Sequence, residues 1–129
     1  MIFSAKVRSQ LRADLILQFD PAIRYAAIID NDNTIVECKG QGTAPLPLSL
    51  ERWRDFLTIE PNLILGSMGT KLQPLGRLGY VIGRFENALV TIYQLHSCVV
   101  AIVLDPTVQI QLLEEIGTYL KTMETEFAP

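Results

Sequence analysis

Few residues in this chain have the types and spacing that chemistry needs, and their contexts exclude most of the reactions they suggest. Gly40-Gln41-Gly42-Thr43-Ala44-Pro45 follows an apolar strand and has the outline of a dinucleotide loop. Pro45 stands where the third glycine belongs, and the strand comes from a hairpin and not a βαβ unit, so a flexible connector explains it better. Asp30-Asn31-Asp32-Asn33-Thr34 starts like a calcium loop, but Ile35 occupies the place of the turn glycine and Gln41 that of the bidentate glutamate. A hairpin turn is what remains. His96 is the single histidine; it lies between Leu95 and Ser97 with no acidic partner or nucleophile at a recognisable spacing. Glu114, Glu115, Glu124 and Glu126 are expected on the solvated side of the last helix or at its frayed end. The expectation is a non-enzymatic protein, with no catalytic residue, no metal ligand and no cofactor.

Charged and aromatic side chains point instead to contacts. Lys71, Arg77 and Arg84 make a modest basic patch between the second helical region and the third strand, either solvated or offered to an acidic partner surface. Trp53 and Phe56 are anchors for a core or an interface, since large aromatics carry much of the contact energy in both. Gly117, inside the last helix, costs about 1 kcal/mol relative to alanine, which close backbone packing would explain. Cys38 and Cys98 lack CxxC spacing, so reduced thiols in a cytoplasmic protein are the simplest expectation.

These side chains need one domain to hold them, and the 129 residues suffice for a single core. A net charge of −3 argues against a nucleic-acid platform, which would carry a basic stripe. At 49% hydrophobic and 19% charged, the chain is too apolar for disorder and has surface to bury in an assembly. The longest apolar run, residues 98–104, is far short of the roughly 18–20 residues of a membrane span. The first six residues show no signal peptide, so no membrane insertion is expected.

Phe3, Val7, Leu11 and Leu15 recur every four residues and predict a helix over 4–18, capped by Ser4 and ended by Asp20-Pro21. Strands follow at 24–30 and 34–39, joined by the Asn31-Asp32-Asn33 turn. Ser49 caps a helix over 49–59, with Leu50, Trp53, Phe56 and Leu57 on one face, and Pro61 enters the first turn of another over 61–72. Strands at 80–85, 89–95 and 98–105 are joined by connections short enough only for hairpins. The last of them is apolar on both faces and belongs in the middle of a sheet. Asp105-Pro106 is expected to open a final helix whose inner face carries Val108, Leu112, Ile116, Tyr119, Leu120 and Met123.

The order α-β-β-α-β-β-β-α resembles the roadblock/LC7 family, of profilin-like and longin-like architecture. The residues that carry the resemblance are the strand Arg24-Tyr25-Ala26-Ala27-Ile28-Ile29-Asp30 with its Asn31-Asp32-Asn33 turn, and the three-strand meander of 80–105 ending in Leu104-Asp105-Pro106. It implies an α+β domain with a five-stranded antiparallel sheet in the order 2-1-5-4-3, the central helix on one face and the terminal helices on the other. It also implies a non-enzymatic dimer that regulates a small GTPase or serves as an adaptor.

In that strand order residues 80–85 lie at a margin, where Tyr80, Val81, Ile82, Gly83 and Arg84 present backbone groups to a second copy. A twofold homodimer, or a pair with a related subunit, follows, with Trp53, Phe56 and Leu57 brought toward their symmetry mates and Lys71 and Arg77 left for a further partner. A proline at Val81 is expected to weaken such a pair. The alternative is a small-molecule-sensing domain of the PAS or GAF kind, whose cavity Cys38, Tyr25 and Tyr93 would line.

Overall fold

The computed structural model describes residues 11–42 and 48–125. Its elements are α1 (Ala13–Phe19), β1 (Ile23–Ile29), β2 (Ile35–Gly40), α2 (Leu50–Leu57), α3 (Glu60–Lys71), a short 3-10 turn (Gln73–Leu75), β3 (Tyr80–Arg84), β4 (Leu89–Gln94), β5 (Val99–Leu104) and α4 (Ile110–Thr125). The strands form one antiparallel sheet in the order β2-β1-β5-β4-β3, as expected. β5 is buried along its whole length because it is central and both its faces are covered. Ala26, Ile28, Val100 and Ile102 face the core under α1 and α4, whereas Ala27, Val99, Ala101 and Val103 face the core under α2 and α3. One helical layer therefore covers each face, the terminal helices on one and the central pair on the other.

Local chemistry sets the turns. Asn33 takes a left-handed φ of 70° between β1 and β2, and the Asp32 carboxylate accepts from Thr34 N–H at 3.1 Å. Ser49 Oγ caps α2 by accepting from Arg52 N–H at 3.1 Å, and Pro61 sits in the first turn of α3. Asn62 ties α3 to the β1–β2 turn, donating to Asp30 O and Asn33 Oδ1, each at 2.9 Å. On the other face the buried Tyr93 hydroxyl donates to Leu113 O at 2.8 Å. Gly117 makes this approach possible, because a Cβ there would lie 3.3 Å from the Tyr93 ring.

Three expectations about the helices are corrected. The first described helix begins at Ala13, and its buried side chains are Ala13, Ile16 and Leu17 rather than Leu15; residues 4–10 of the expected helix lie outside the described residues. Leu11 precedes the helix, so its spacing from Leu15 is not helical. Asp105-Pro106 does not open the last helix, which starts at Ile110. The Asp105 carboxylate pairs with Arg24 Nη1 at 3.0 Å, and Asp105 O accepts from Val108 N–H at 3.3 Å in a turn that Pro106 suits. Glu124 is buried, not solvated: its carboxylate accepts from His96 N–H at 2.9 Å, and from Ser97 N–H and Ser97 Oγ, each at 2.7 Å. It thereby clamps the β4–β5 turn to the end of α4. Glu126 lies outside the described residues.

Candidate interaction surface

β3 is the open margin of the sheet. It pairs with β4 in unbroken register from Tyr80↔Tyr93 to Arg84↔Leu89, and its other side has no neighbour among the described residues. Hydrogen bonds at its two ends fix which groups point outward. Gln94 N–H donates to Gly79 O and Phe85 N–H donates to Ala88 O, so the odd residues of β3 face β4. Backbone direction alternates along an antiparallel strand, which leaves the N–H and C=O groups of Tyr80, Ile82 and Arg84 facing away. Val81 therefore bonds inward, and a proline there would damage the β3–β4 ladder before it touched the edge.

The helix over the neighbouring strands is unusual on its outer side. α3 packs on β4 and β5, burying Pro61 and Leu65. No charged residue occurs from Pro61 to Thr70. Opposite the buried side, at helical spacing, run Ile59, Leu63, Gly66 and Thr70; Ile59 is 55% and Leu63 62% exposed. A Cβ added at Gly66 or Gly69 would meet nothing within 4 Å, so packing inside the chain does not require either glycine. Glycines of that kind suit the close approach of another backbone. Sequence reasoning missed this stripe. Its signal was the ten-residue stretch without charge, a helix apolar on more than its core side.

The expected site residues separate into groups. Trp53 and Leu57 are buried against the sheet at 2% and 0% exposure, so their expected contact with a symmetry mate is corrected: they are core of the single chain. The Trp53 ring stacks with those of Tyr25 and Phe56, whose centroids are 6.3 and 5.7 Å away. Phe56, Tyr80, Val81, Ile82 and Gly83 are half-buried. Lys71 and Arg77 are exposed at the junction of α3 and β3, whereas Arg84 ends β3 and donates to Pro106 O at 3.2 Å.

Cys38 and Cys98 are free thiols belonging to clusters on opposite faces of the sheet. Burial pushes the Cys38 thiol up, with Arg54 pulling against it. Burial likewise raises the Tyr93 phenol well above the usual tyrosine range, helped by the nearby Tyr80 and Glu114. Tyr80 is raised by its hydrogen bond to Glu114. Among the described residues no three His, Cys, Asp or Glu side chains gather where a metal ion would fit, and no helix is long and apolar enough to cross a membrane. A hollow of about 460 Å³ lies between α2 and the β3–β4 hairpin. None of Cys38, Tyr25 and Tyr93, expected to line such a cavity, borders it.

The sheet order, the helix pair on one face and the terminal helices on the other constitute the roadblock/LC7 fold. The gliding protein MglB of Thermus thermophilus superposes with a TM-score of 0.69 at 18% identity, over 98% of this chain and 88% of that one. An MglB with a tetrameric arrangement gives 0.65 at 18% identity, over 98% and 93%. A Roadblock/LC7 domain from Streptomyces avermitilis gives 0.68 at 13% identity, over 89% and 92%. The likeness is one of fold: no family model matches the sequence, and no curated protein does.

Proposed function

We propose that this chain is a non-catalytic interaction module that associates with a second copy, or a related subunit, through β3 and the outer stripe of α3. The observation that carries this reading is the nearly unguarded edge of β3, to which α3, packed over β4 and β5, adds an uncharged, glycine-bearing outer face. Each would be a liability on an isolated protein, and one twofold contact covers both. The fold likeness to MglB, one structure of which has a tetrameric arrangement, supports association. Within the assembly, Lys71 and Arg77 are offered to an acidic partner surface, and a small GTPase is the partner class the resemblance implies. The free thiols suit a reducing compartment such as the cytoplasm.

Sedimentation velocity of the native chain at micromolar concentration tests the reading. A dimer or higher species is expected, and Leu63→Asp, which places a charge on the exposed stripe, should sediment as a monomer with unchanged circular dichroism. A native monomer, or an assembly indifferent to Leu63→Asp, would overturn it.

A further inference from the structure

The hollow between α2 and the β3–β4 hairpin has the build of a small-molecule site. Its volume of about 460 Å³ is within the range such sites occupy, and Val90 and Val103 of the sheet contribute to its lining. Aromatic rings line it as well: Trp53 and Phe56, near parallel at 15°, and Phe85 on the hairpin. Phe85 is 61% exposed, an apolar ring that the fold of one chain leaves uncovered.

Polar groups are few and mostly donors. Arg52, Asn87 and Glu86 border the hollow, and among the described residues the Arg52 guanidinium makes neither an ion pair nor a hydrogen bond. Among the described residues the buried Trp53 indole N–H meets no acceptor. Against these donors stands one carboxylate, Glu86. An occupant that brings an apolar body and an anionic acceptor complements the lining.

We propose that this hollow binds a small, ring-bearing apolar molecule with a single negative charge, its body against the Phe56 and Phe85 rings beside Trp53 and its charge met by Arg52. The site goes beyond the association surface, and its described lining residues all belong to one chain.

Trp53 is the only tryptophan, so its fluorescence reports on the hollow directly. The full chain is titrated with the anionic probe 8-anilinonaphthalene-1-sulfonate and with its uncharged relative N-phenyl-1-naphthylamine. Both should quench Trp53 by energy transfer, the anionic probe binding roughly threefold more tightly, the scale of one exposed ion pair. Arg52→Gln should erase that preference. Ala88→Phe and Ala88→Leu, which fill the hollow from the hairpin, should abolish binding of both probes with the circular dichroism retained. Leu63→Asp should bind both probes as the native chain does. The proposal is overturned if Trp53 is not quenched, if the native chain binds the two probes equally, or if Ala88 variants that keep the native circular dichroism leave binding unchanged. Loss of binding in Leu63→Asp would also overturn it, because the probes would then report the association surface. Absence of any binding would overturn it too, and would leave the hollow to a side chain of a partner protein.

Discussion

At the β2 margin of the sheet the ladder is interrupted: Ile28 pairs with Glu37 and Ile29 with Ile35, so Val36 bulges out between them. Glu37 and Lys39 place both signs of charge on that strand, and the Glu37 carboxylate accepts from Ala13 N–H at 2.6 Å, binding α1 across it. At the β3 margin the ladder runs unbroken, the only formal charge is Arg84 at its end, and the adjacent helix turns Ile59 and Leu63 to the outside. A bulge, inward charges and a covering helix are the usual means of keeping strands from adding to an edge. The fold uses all three at one margin and almost none at the other. Two edges of one sheet face the same solvent, and this contrast is what supports the proposed pairing through β3.

The sharpest way to break this contrast is a proline whose missing N–H lies on the outer side. Ile82→Pro removes an outward donor from β3 and leaves its bonds to β4 intact, a position where edge strands accept proline. In a twofold pair it deletes two hydrogen bonds and adds two steric blocks, so association should weaken about a hundredfold. Val81→Pro serves as its counterpart, because that N–H faces β4. It should lower the thermal midpoint of the single chain, whereas Ile82→Pro should lower the dimer's equilibrium constant. Sedimentation equilibrium and thermal unfolding of the two variants distinguish these effects, and the reverse pattern would mean that β3 is not the interface.

The pairing of the 80–105 meander was legible because hairpins of two or three residues leave no other arrangement, and a strand apolar on both faces must be central, whereas the full order 2-1-5-4-3 came only from the resemblance to the roadblock/LC7 family. The proline test was not legible, since which N–H groups face outward depends on the closing bond between Phe85 and Ala88. The start of α4 was hidden for a related reason. Asp105 has the right type for a helix cap, but its carboxylate is taken by Arg24, 81 residues earlier in the chain. Glu124 reads as a solvated helix residue until the fold brings the His96-Ser97 turn to it, 27 and 28 residues away in sequence. Trp53 was identified as an anchor for a core or an interface with no choice between them, because a face shared with Phe56 and Leu57 looks the same whether it meets a sheet or a second copy. The uncharged stretch from Pro61 to Thr70 was visible, but only the sheet under Pro61 and Leu65 shows which side of it remains outside.

At the closed margin the same logic predicts a loss of stability with no change in association. Glu37→Ala leaves Ala13 N–H without its charged acceptor and should destabilise the chain by about 1–2 kcal/mol in urea unfolding, with Glu37→Gln recovering part of it. A change in dimerisation would show that β2 is not the sealed edge. Below the β3 margin, Tyr93 holds β4 to α4 and its ring lies 5.3 Å from that of Tyr80. Tyr93→Phe should cost about 1 kcal/mol at neutral pH through the lost bond to Leu113 O. Because burial raises the folded-state pKa of Tyr93, the unfolded chain ionises first. Its contribution is therefore complete below about pH 10 and is lost as pH rises above that value toward the folded pKa. The difference in unfolding free energy between the native chain and Tyr93→Phe should shrink through that window, and a difference that grew there would refute the assignment.

The smallest expected effect concerns the one device that the β3 margin does retain. Arg84 is exposed, its backbone N–H faces outward, and its guanidinium donates to the Pro106 carbonyl at 3.2 Å. A single charge at a strand end discourages pairing without forbidding it, because an exposed cation keeps most of its hydration and is screened by salt. Arg84→Val removes that discouragement and substitutes a side chain favoured in strands. Folding stability should change by no more than about 0.5 kcal/mol, as for other exposed contacts. Association should tighten by roughly two- to threefold, the scale of a surface charge interaction, and the gain should fade as salt is raised in the native chain. Sedimentation equilibrium of both proteins at low and high salt reads this directly. Weaker pairing in Arg84→Val would mean that the guanidinium contacts the second copy favourably, which would turn the last charge of the edge from a guard into part of the interface.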